Sequence, residues 1–588
     1  MIPATTKRHT SKLILGGVAL GSYVLWAAGC SALLDSDSSQ CSTDGDCAKF
    51  NVGATYQCVQ NGCVKKSDVV VLPDSGPDAP VTKECTTNQD CIATLGDFTI
   101  CRKQDFKCAK LTAPDCPTVV GDWKNDNAVI IGSILPTVGI DSASGIPLLN
   151  AIALAVDEFK TGASGLPPAI GTTARRPIVV VGCSEESNDP NDADAPVRSA
   201  KHLVNDVKVP AIIGASFSGD TQAVAEVTIP AGVLLMSPTA TSVAITSLAD
   251  NGLVWRTAPS DVIQAKALVG IMPQVESSTR TRLGIAAGTP LKVLILNKGD
   301  SYGKGLATAL QGTLVFNGKS ALDNLTAGNL KVVDYGDPSS ATPPDYVSVR
   351  SKVIPGGAVT FVPNIIFMLG TTEVMAEFLT PFEAATWPGG GKPTYLFPDG
   401  GFVPELWDAI GTSTALRNRV LGTTPGTNNA IFQLFRSHYI SFIKDGTSPD
   451  ISGTAPSYDA LYVLAYAIAA TSDKPLTGAN IAEGIKRLVP PGTNSEPGST
   501  NINAAVAILS SGKNIDYNGA SGPLNFDVVT GEAPSDIQVW CIPTVDGTPT
   551  GKAAPAVNSG IFFDAAKDAI SGPLLDPLDA SVKATCKY

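Results

Sequence analysis

The sequence predicts an α/β protein with two doubly wound parallel-sheet lobes, preceded by small disulfide-rich modules. After Cys116, short apolar runs recur, and most are followed by a helical pattern, an alternation typical of parallel sheets. Ten such runs exceed the content of one ordinary domain, which favours two lobes over one large sheet. Before Cys116, the cysteines are concentrated in two short groups. The apolar runs are AVIIGSILP, PIVVVGCS, AIIGAS, GVLLMSP, LVWRTAP, LKVLILN, LKVVDYG, NIIFMLG, TYLFPDG and RVLGTT.

Residues 1–29 are predicted to be an export signal, because basic residues precede an apolar segment that ends in small residues. The final Ala-Ala-Gly and Cys30 resemble the lipobox of bacterial lipoproteins, which implies that Cys30 is acylated and holds the chain at the membrane. An uncleaved membrane anchor is the alternative. In both cases the body lies outside the cytoplasm, in a bacterial cell envelope. Ser31 favours the outer membrane over the periplasmic face of the inner one, by the same resemblance.

Residues 41–63 and 85–108 form an internal repeat with four cysteines in each unit. Each unit is too short to bury a core, so two disulfides, each contributing roughly 2–4 kcal/mol, would have to hold it. Zinc is the alternative, but the repeat has no C-x-x-C pair and no histidine, so no metal is predicted. We therefore expect residues 30–115 to be a lipid-anchored stalk or docking unit. The disulfide candidates here are Cys41, Cys47, Cys58, Cys63, Cys85, Cys91, Cys101 and Cys108.

Four further cysteines lie outside the repeat, at Cys116, Cys183, Cys541 and Cys586. Cys183 follows a strand and could be a reactive thiol. An exported location favours disulfides instead. We predict the pairs Cys116–Cys183 and Cys541–Cys586.

Composition excludes several classes of function. The net charge is −12, and no basic block occurs beyond the first dozen residues, so nucleic acid is not expected as a partner. The chain has only three histidines, which argues against acid–base catalysis and against a histidine-containing catalytic triad. The protein is therefore predicted not to be an enzyme, and no cofactor is expected.

Residues 211–242 are predicted to fold as strand, turn, helix, strand and turn. If the two strands are parallel neighbours, both hydroxyl-rich turns emerge at one carboxyl edge of the sheet, where small molecules bind. Ser218 is expected to be the N-cap of the helix, so that the N–H groups of residues 219–221 point outward. Such a turn suits a carboxylate.

From about residue 127 to 550, the chain resembles the type I periplasmic binding proteins of the leucine/isoleucine/valine-binding class, the receptors of ABC transporters. The motifs that carry the resemblance occur in order and include IGSILPTVG, ALAVDEF, LLMSPTATS, WRTAPSD, LNKGDSYGKGLA, FPDGG, PSYDALYVLAYAI and GPLNFD. The resemblance implies two lobes joined by three hinge crossovers, near Ala258, Leu421 and Ser511. The implied segments are 116–258 with 422–511 as the first lobe, 259–421 with 512–575 as the second lobe, and 576–588 as a tail.

The same resemblance implies a set of ligand-binding residues. The carboxylate of an amino acid would be held by Ser218, Thr239 and Thr241, and its ammonium group by Asp399 in the Pro-Asp-Gly turn. Gly219 and Thr371 occupy two further candidate contact positions where relatives carry other residues. Asp220 would add a like charge near the carboxylate, which weakens binding.

Two binding roles remain open. In the first, the protein captures an amino acid or a similar small polar solute and delivers it to an ABC permease. In the second, the same fold acts as a surface or sensory receptor of the outer membrane, with a changed or lost ligand. The hydroxyls and Asp399 favour the first role, whereas the Cys-rich region and the lipid anchor favour the second.

Overall fold

The computed structural model describes residues 56–59, 62–65 and 83–572, with gaps at 190–191, 341, 355–360, 427–428, 472–473 and 544–556. The chain forms two compact units, residues 1–82 and residues 83–588. The predicted signal, the lipidation site Cys30, the C-terminal tail and Cys41, Cys47 and Cys586 lie outside the described residues. Within the described part of the chain, no helix combines the length and the apolar character needed to cross a membrane.

Both cysteine repeats contain a short hairpin. In the first, β1 (Tyr56–Val59) and β2 (Gly62–Lys65) pair antiparallel, with Cys58 opposite Cys63. The second repeat consists of α1 (Asn88–Leu95), β3 (Thr99–Cys101) and β4 (Cys108–Lys110), with Cys101 opposite Cys108. Disulfides join Cys85 to Cys101 and Cys91 to Cys108. The second repeat is therefore held by two disulfides, as expected.

The second repeat packs against the lobe that follows it. Lys208 forms an ion pair of 2.9 Å with Asp105, and Arg102 donates a hydrogen bond of 2.6 Å to the carbonyl of Asp206. Ile100 and Leu111 are buried in the same core as the first sheet of the lobe. This repeat is thus part of the body of the protein rather than a free stalk.

The first lobe is built on a six-stranded sheet with the strand order β10-β9-β8-β6-β7-β5. All its pairings are parallel except that of β5 with β7. The five apolar runs predicted here form β6 to β10, and apolar cores cover both faces of the sheet. Its elements are β5 (Thr118–Val120), β6 (Val129–Leu135), α2 (Ser142–Ala163), β7 (Ile178–Ser184), α3 (Ala195–Lys201), β8 (Ala211–Gly214), α4 (Ser218–Thr228), β9 (Leu234–Ser237), α5 (Val243–Thr246) and β10 (Val254–Arg256).

The second lobe begins after β10. Its elements are α6 (Asp261–Gly270), α7 (Met272–Leu283), β11 (Val293–Asn297), α8 (Ser301–Thr313), β12 (Val315–Phe316), β13 (Lys319–Ser320), α9 (Ala321–Thr326), β14 (Leu330–Asp334), α10 (Tyr346–Ser351), β15 (Ile365–Leu369), α11 (Thr380–Ala384), β16 (Thr394–Phe397), α12 (Pro404–Ile410), α13 (Thr414–Arg417) and β17 (Val420–Pro425). The remaining five predicted runs form the parallel strands β11, β14, β15, β16 and β17.

The chain then returns to the first lobe and crosses back a third time. The returning elements are α14 (Ala430–Phe442), α15 (Thr454–Ala470), α16 (Gly478–Ile485), β18 (Thr493–Ser495), α17 (Ile502–Ser510), β19 (Ile515–Gly519) and β20 (Gly522–Pro523). The final strands β21 (Ile537–Cys541), β22 (Val557–Asp564) and β23 (Ala569–Ser571) extend the second sheet, whose order is β14-β11-β15-β16-β17-β21-β22-β23. All residues of α15 are buried, and this helix packs closely on α2.

Two of the expected crossover positions differ from the observed ones. Leu421 lies inside β17, so the second passage follows Pro425 rather than Leu421. Ser511 lies before Tyr517 and Phe526, which are both buried in the core of the first lobe, so the third passage comes after Phe526. The apolar side chains between 512 and 526 decide this position, because they complete a core that the returning helices have already begun.

Cys116 and Cys183 form the predicted disulfide and are both buried. The bond closes a loop with a sequence separation of 67 and joins the segment just before β5 to β7. Cys541 is also disulfide-bonded, and its predicted partner Cys586 lies outside the described residues.

Replacing both Cys116 and Cys183 with alanine is expected to lower the free energy of unfolding by roughly 2–4 kcal/mol, because the unfolded chain regains the entropy of an open loop. Denaturant unfolding under non-reducing conditions measures the change. A double variant that unfolds at the wild-type denaturant concentration would contradict a stabilising role for this bond.

Candidate ligand-binding cleft

The two lobes face each other across a cleft at the carboxyl ends of their sheets. In the first sheet, β6 lies between β7 and β8, so the chain order reverses at β6. In the second sheet, β11 lies between β14 and β15, and the order reverses there as well. Loops diverge at such points and leave a crevice for small molecules. The loops after β6, β8, β11 and β15 therefore line one cleft.

One part of the cleft is an inner pocket of about 90 Å³, which is room for several water molecules. Both lobes contribute to it. Four predicted ligand-binding residues lie in its lining, namely Ser218, Thr239, Thr371 and Asp399. Apolar walls are formed by Pro136, Leu148, Phe217 and Val403. The pocket thus offers a few polar groups within a mainly apolar surface, as small-molecule sites do.

Asp399 forms the acidic wall of the inner pocket. Its Oδ1 accepts hydrogen bonds of 2.7 Å from both Tyr302 and Gln264. Its Oδ2 receives none from the described residues, so one carboxylate oxygen is left for a ligand. Burial raises the pKa of Asp399, and the hydrogen bonds from Tyr302 and Gln264 oppose this rise. A bound cation would favour the ionised form further.

The glycine that follows Asp399 permits this arrangement. The N–H of Gly400 donates to Tyr302 Oη at 3.1 Å. A Cβ atom at this position would lie 2.6 Å from the carbonyl oxygen of Gly370 and 2.9 Å from Tyr302 Oη. The Pro398-Asp399-Gly400 turn therefore needs glycine to pack closely behind the carboxylate.

The opposite wall carries hydroxyl groups. The hydroxyls of Ser144 and Ser216 line the inner pocket and are buried without a hydrogen-bond partner among the described residues. Ser218 Oγ accepts from the N–H of Ser242 at 3.2 Å, which leaves its proton free to be donated, and Thr239 Oγ1 donates to the carbonyl of Ser216 at 2.8 Å. A buried hydroxyl without a partner is costly, so a ligand that accepts these protons would be stabilised.

The start of α4 differs from its prediction by one residue. Phe217, not Ser218, is the N-cap, and no side chain caps the helix. The N–H of Thr221 donates to the carbonyl of Phe217 at 2.8 Å. The prediction that this N–H is available to a ligand was therefore wrong. The N–H groups of residues 218–220 have no intrahelical acceptor, because they belong to the first turn.

Two predicted contacts lie elsewhere. Thr241 is buried and does not line the inner pocket; its carbonyl accepts the N–H of Asp261 at 2.8 Å. Gly219 lines a neighbouring cavity rather than the inner pocket. Ser218 and Gly219 line different cavities because successive residues of a helix lie on different sides of it.

This neighbouring cavity, the acidic outer cavity, has a volume of about 530 Å³. It shares Asp141, Phe217, Asp300, Thr371 and Thr372 with the inner pocket, so the two are continuous. Its acidic lining consists of Asp141, Glu185, Glu186, Asp189, Asp192, Asp220, Asp300, Asp337 and Glu373, whereas Lys298 is its one basic residue.

Electrostatic interactions in the acidic outer cavity shift several pKa values. Burial, together with the charge of Asp220, raises the pKa of Glu185 well above its usual value. Burial and the neighbouring Asp141 raise the pKa of Glu186 to about 8, and burial raises that of Asp220 to about 7. Glu373 differs from these acids. Burial acts to raise its pKa, but the Lys298 ammonium lowers it below the usual value. The pKa values of Glu185, Glu186 and Asp220 are therefore raised, whereas Lys298 stabilises the ionised form of Glu373.

Direct contacts join the lobes beside the cleft. Thr372 of the second lobe donates a hydrogen bond to Asp141 of the first, and the hydroxyls of Ser242 and Ser301 lie 2.9 Å apart. Lys298 Nζ lies 5.6 Å from the centre of the Phe217 ring. The two lobes are thus in contact, as in a closed cleft.

Several residues at the cleft were not singled out from the sequence as contacts. Ser144 lies on α2, and nothing in the local pattern distinguishes it from other surface serines. Tyr302 could have been found in GDSYGKG, which follows a strand directly. Glu185 and Glu186 could also have been found from the sequence, because they follow the carboxyl end of β7, where polar residues commonly line a site.

Comparison with known proteins agrees with this architecture. A family model described as periplasmic binding protein matches residues 128–500. No curated protein matches the chain.

Several solved structures are similar to the chain. The substrate-binding protein LivJ of a branched-chain amino acid transporter from Streptococcus pneumoniae, in complex with isoleucine, is 17% identical, with 73% of this chain and 99% of that chain covered and a TM-score of 0.49. The leucine-binding protein LivK from Thermotoga maritima is 20% identical, with 73% and 99% covered and a TM-score of 0.49. A solute-binding protein of an ABC transporter from Rhodopseudomonas palustris BisB5, in complex with 3,4-dihydroxybenzoic acid, is 17% identical, with 76% and 99% covered and a TM-score of 0.48.

The matched segment includes the parallel strands of both sheets, the switch-point loops and the residues that line the inner pocket. It covers more than half of the 588 residues. The chain therefore belongs to the periplasmic binding protein family, whose members bind solutes outside the cytoplasm.

Proposed function

We propose that this protein captures an amino acid or a similar small polar zwitterion in the inner pocket, for uptake by an ABC permease. The observation that carries the proposal is the pairing of two walls from different lobes. One wall presents Oδ2 of Asp399 and the other presents the hydroxyls of Ser144 and Ser216, none of which has a hydrogen-bond partner among the residues that the structure describes. A zwitterion would satisfy both walls at once.

The polar groups assign an orientation to the ligand. Its carboxylate would accept hydrogen bonds from Ser216 and Ser218 and lie near the uncapped start of α4, where the helix dipole is positive. Its ammonium group would lie against Asp399, with Thr239 and Thr371 beside it. Its side chain would extend past Phe217 toward the acidic outer cavity.

Because the two charged ends would bind to different lobes, the ligand stabilises the closed cleft over an open one. Binding is then a shift of population toward closure. The lobe contact between Thr372 and Asp141 would form in the same step.

Isothermal titration of the full-length protein with the standard α-amino acids tests the ligand class. For an amino acid that binds, Asp399→Asn is expected to weaken binding by at least about 30-fold, because the ammonium group loses a buried charged partner. Ser216→Ala is expected to weaken it by about tenfold, since the hydrogen bond is lost. Asp157→Asn, on α2 and outside both cavities, serves as the control and should leave affinity unchanged.

Two results would count against this proposal: no heat of binding with any α-amino acid, or an affinity that is the same in wild type and Asp399→Asn. Uptake measurements separate transport from the sensory alternative. Cells that lack the protein should lose uptake of its ligand if it serves a permease, and should keep it if the protein is a receptor.

The lipid anchor is a separate proposal. Metabolic labelling with a palmitate analogue is expected to mark the wild-type protein and not Cys30→Ala. Labelling of both proteins would show that the lipid is attached elsewhere, and labelling of neither would contradict lipidation.

A further inference from the structure

We infer that the acidic outer cavity binds a second positive charge on the ligand, so that the solute is a cationic amino acid whose side chain ends in an amino or guanidino group. The inference rests on the proposed function, because it places the α-amino and α-carboxyl groups in the inner pocket. It extends that function by naming the class of side chain.

The first support is an unpartnered carboxyl oxygen. Glu185 is only 3% exposed and lines the acidic outer cavity. Its Oε2 accepts the N–H of Ser216 at 2.7 Å. Its Oε1 is buried and has no hydrogen-bond partner among the described residues. Such a group carries a desolvation cost that a donor on a ligand would relieve.

The second support is a second unsatisfied acid close by. Asp220, in the first turn of α4, receives no hydrogen bond from any described residue and lines the same cavity. Its charge acts on Glu185 and raises the pKa of that residue. Glu185 and Asp220 thus repel each other when both are ionised, and a bound cation would stabilise both carboxylates.

Lys298, the one basic residue that lines the cavity among the described residues, does not contact Glu185 or Asp220 at hydrogen-bond distance. Lys298 Nζ lies 3.2 Å from Asp300 Oδ2 and 3.5 Å from Thr371 Oγ1. Its ammonium also lowers the pKa of Glu373. The charge of Lys298 also lowers the pKa of Asp220, against the effect of burial. Among the described residues, however, the direct contacts of Lys298 are with second-lobe groups, and neither Glu185 nor Asp220 has a positive partner at hydrogen-bond distance.

The spacing of the carboxyl groups favours an organic cation over a metal ion. Among the described residues, the one group of three or more metal-ligating side chains with closely spaced ligand atoms consists of Cys85, Cys91 and Cys108, which are in disulfides. The acids of the cavity do not form such a group. An ammonium or guanidinium group on a flexible chain has several donors and does not need ligands gathered at one point.

The acidic outer cavity adjoins the inner pocket, where a long side chain of the ligand could enter it. Phe217 lines both the inner pocket and the acidic outer cavity, and Asp141 and Thr372 lie at the same junction. An aliphatic stem of several carbons could pass along the Phe217 ring while its charged end remains in the polar outer space. A short neutral side chain would leave Glu185 unsatisfied.

Titration calorimetry of the full-length protein with L-lysine, L-arginine and L-norleucine tests the inference. L-norleucine has the carbon chain of lysine without its terminal ammonium group. We expect L-lysine or L-arginine to bind at least about tenfold more tightly than L-norleucine. In Glu185→Gln/Asp220→Asn, this ratio is expected to fall close to one. Glu226→Gln, on the exposed side of α4, is the matched control and should keep the wild-type ratio.

Salt dependence provides a second measurement that does not need a variant. The affinity for L-lysine should fall more steeply with sodium chloride than the affinity for L-norleucine, because only lysine gains from the outer carboxylates. Equal slopes would contradict a charge-based contact. Equal affinities for the three amino acids, or a preference that survives in the double variant, would also overturn the inference.

Failure of the two proposals can be told apart. Binding of L-norleucine without any preference for L-lysine would uphold the amino-acid pocket and reject the cation site. Binding of 1,5-diaminopentane that is lost in the double variant, with no binding of any α-amino acid, would uphold the cation site and reject the amino-acid pocket. Tight binding of calcium chloride or magnesium chloride alone, lost in the double variant, would reject the organic cation in favour of a metal.

Discussion

Glu532→Ala is expected to lower the free energy of unfolding by about 3–5 kcal/mol, because it leaves the Arg256 guanidinium buried without its charged partner. Arg256 is 1% exposed and forms an ion pair with Glu532. It also donates to the carbonyl of Ser242 at 2.8 Å and to Thr246 Oγ1 at 2.8 Å. Its backbone N–H bonds to Gly531 on the third crossover. The pair thus holds the last passage of the chain against β10 and α5.

Denaturant unfolding measures this loss, and Glu483→Ala is the matched control. Glu483 pairs with Lys486 on the surface, where both side chains are well exposed, so its removal should change stability by at most about 1 kcal/mol. If Glu532→Ala and Glu483→Ala lowered the free energy of unfolding by similar amounts, the prediction would be wrong. Such a result would indicate that water reaches the Arg256 guanidinium and replaces Glu532.

Stability is expected to fall as the pH rises from mildly acidic to slightly basic values. Burial, with the repulsion of Asp399, raises the pKa of Asp261 from its ordinary value of 3.8 to about 8. Between these two values, the unfolded chain has released the proton and the folded protein retains it. The stability from this group is therefore fully present below the unfolded pKa and is lost as the pH approaches the folded pKa.

Asp261→Asn should flatten this dependence. Asparagine resembles the protonated carboxyl in shape and cannot ionise, so the variant should lack a slope on the order of 1 kcal/mol per pH unit. The groups that act on Asp261 are Asp399, Thr241, Arg256 and Gln264. Thermal unfolding at several pH values compares the two proteins. An unchanged slope in Asp261→Asn would show that other buried acids, such as Glu186, dominate the dependence.

The sequence predicted the sheets well because their signal is local. The ten apolar runs are short, and most are followed by a helical pattern, so they could be recognised one by one. The Cys116–Cys183 pair could also be predicted, because the expected export of the chain favours disulfides over free thiols. The position of the crossover after Phe526 could not be predicted, because residues 512–526 join the first lobe only through contacts with helices distant in sequence.

The candidate site divides in the same way. Ser218 and Thr239 could be predicted as contacts because they follow neighbouring strands whose carboxyl ends lie at one edge of the first sheet, whereas Thr371 and Asp399 of the second lobe were predicted from the family resemblance; all four line the inner pocket. Thr241 could not be separated from Thr239 by sequence, because their directions depend on the packing of the turn against Asp261.

The sequence by itself thus determined the fold class, the order of the strands along the chain and the edge at which a ligand is expected, because apolar periodicity and turn residues are properties of neighbouring positions. Only the tertiary structure decided which polar groups meet across the lobes. It showed that Ser144 and Ser216, whose hydroxyls have no hydrogen-bond partner among the described residues, line the inner pocket together with Asp399 of the other lobe. It also showed that Glu185 and Asp220, both of the first lobe, line the acidic outer cavity together. These groups come from different segments of the chain, so their relative positions depend on how those segments pack and not on local sequence.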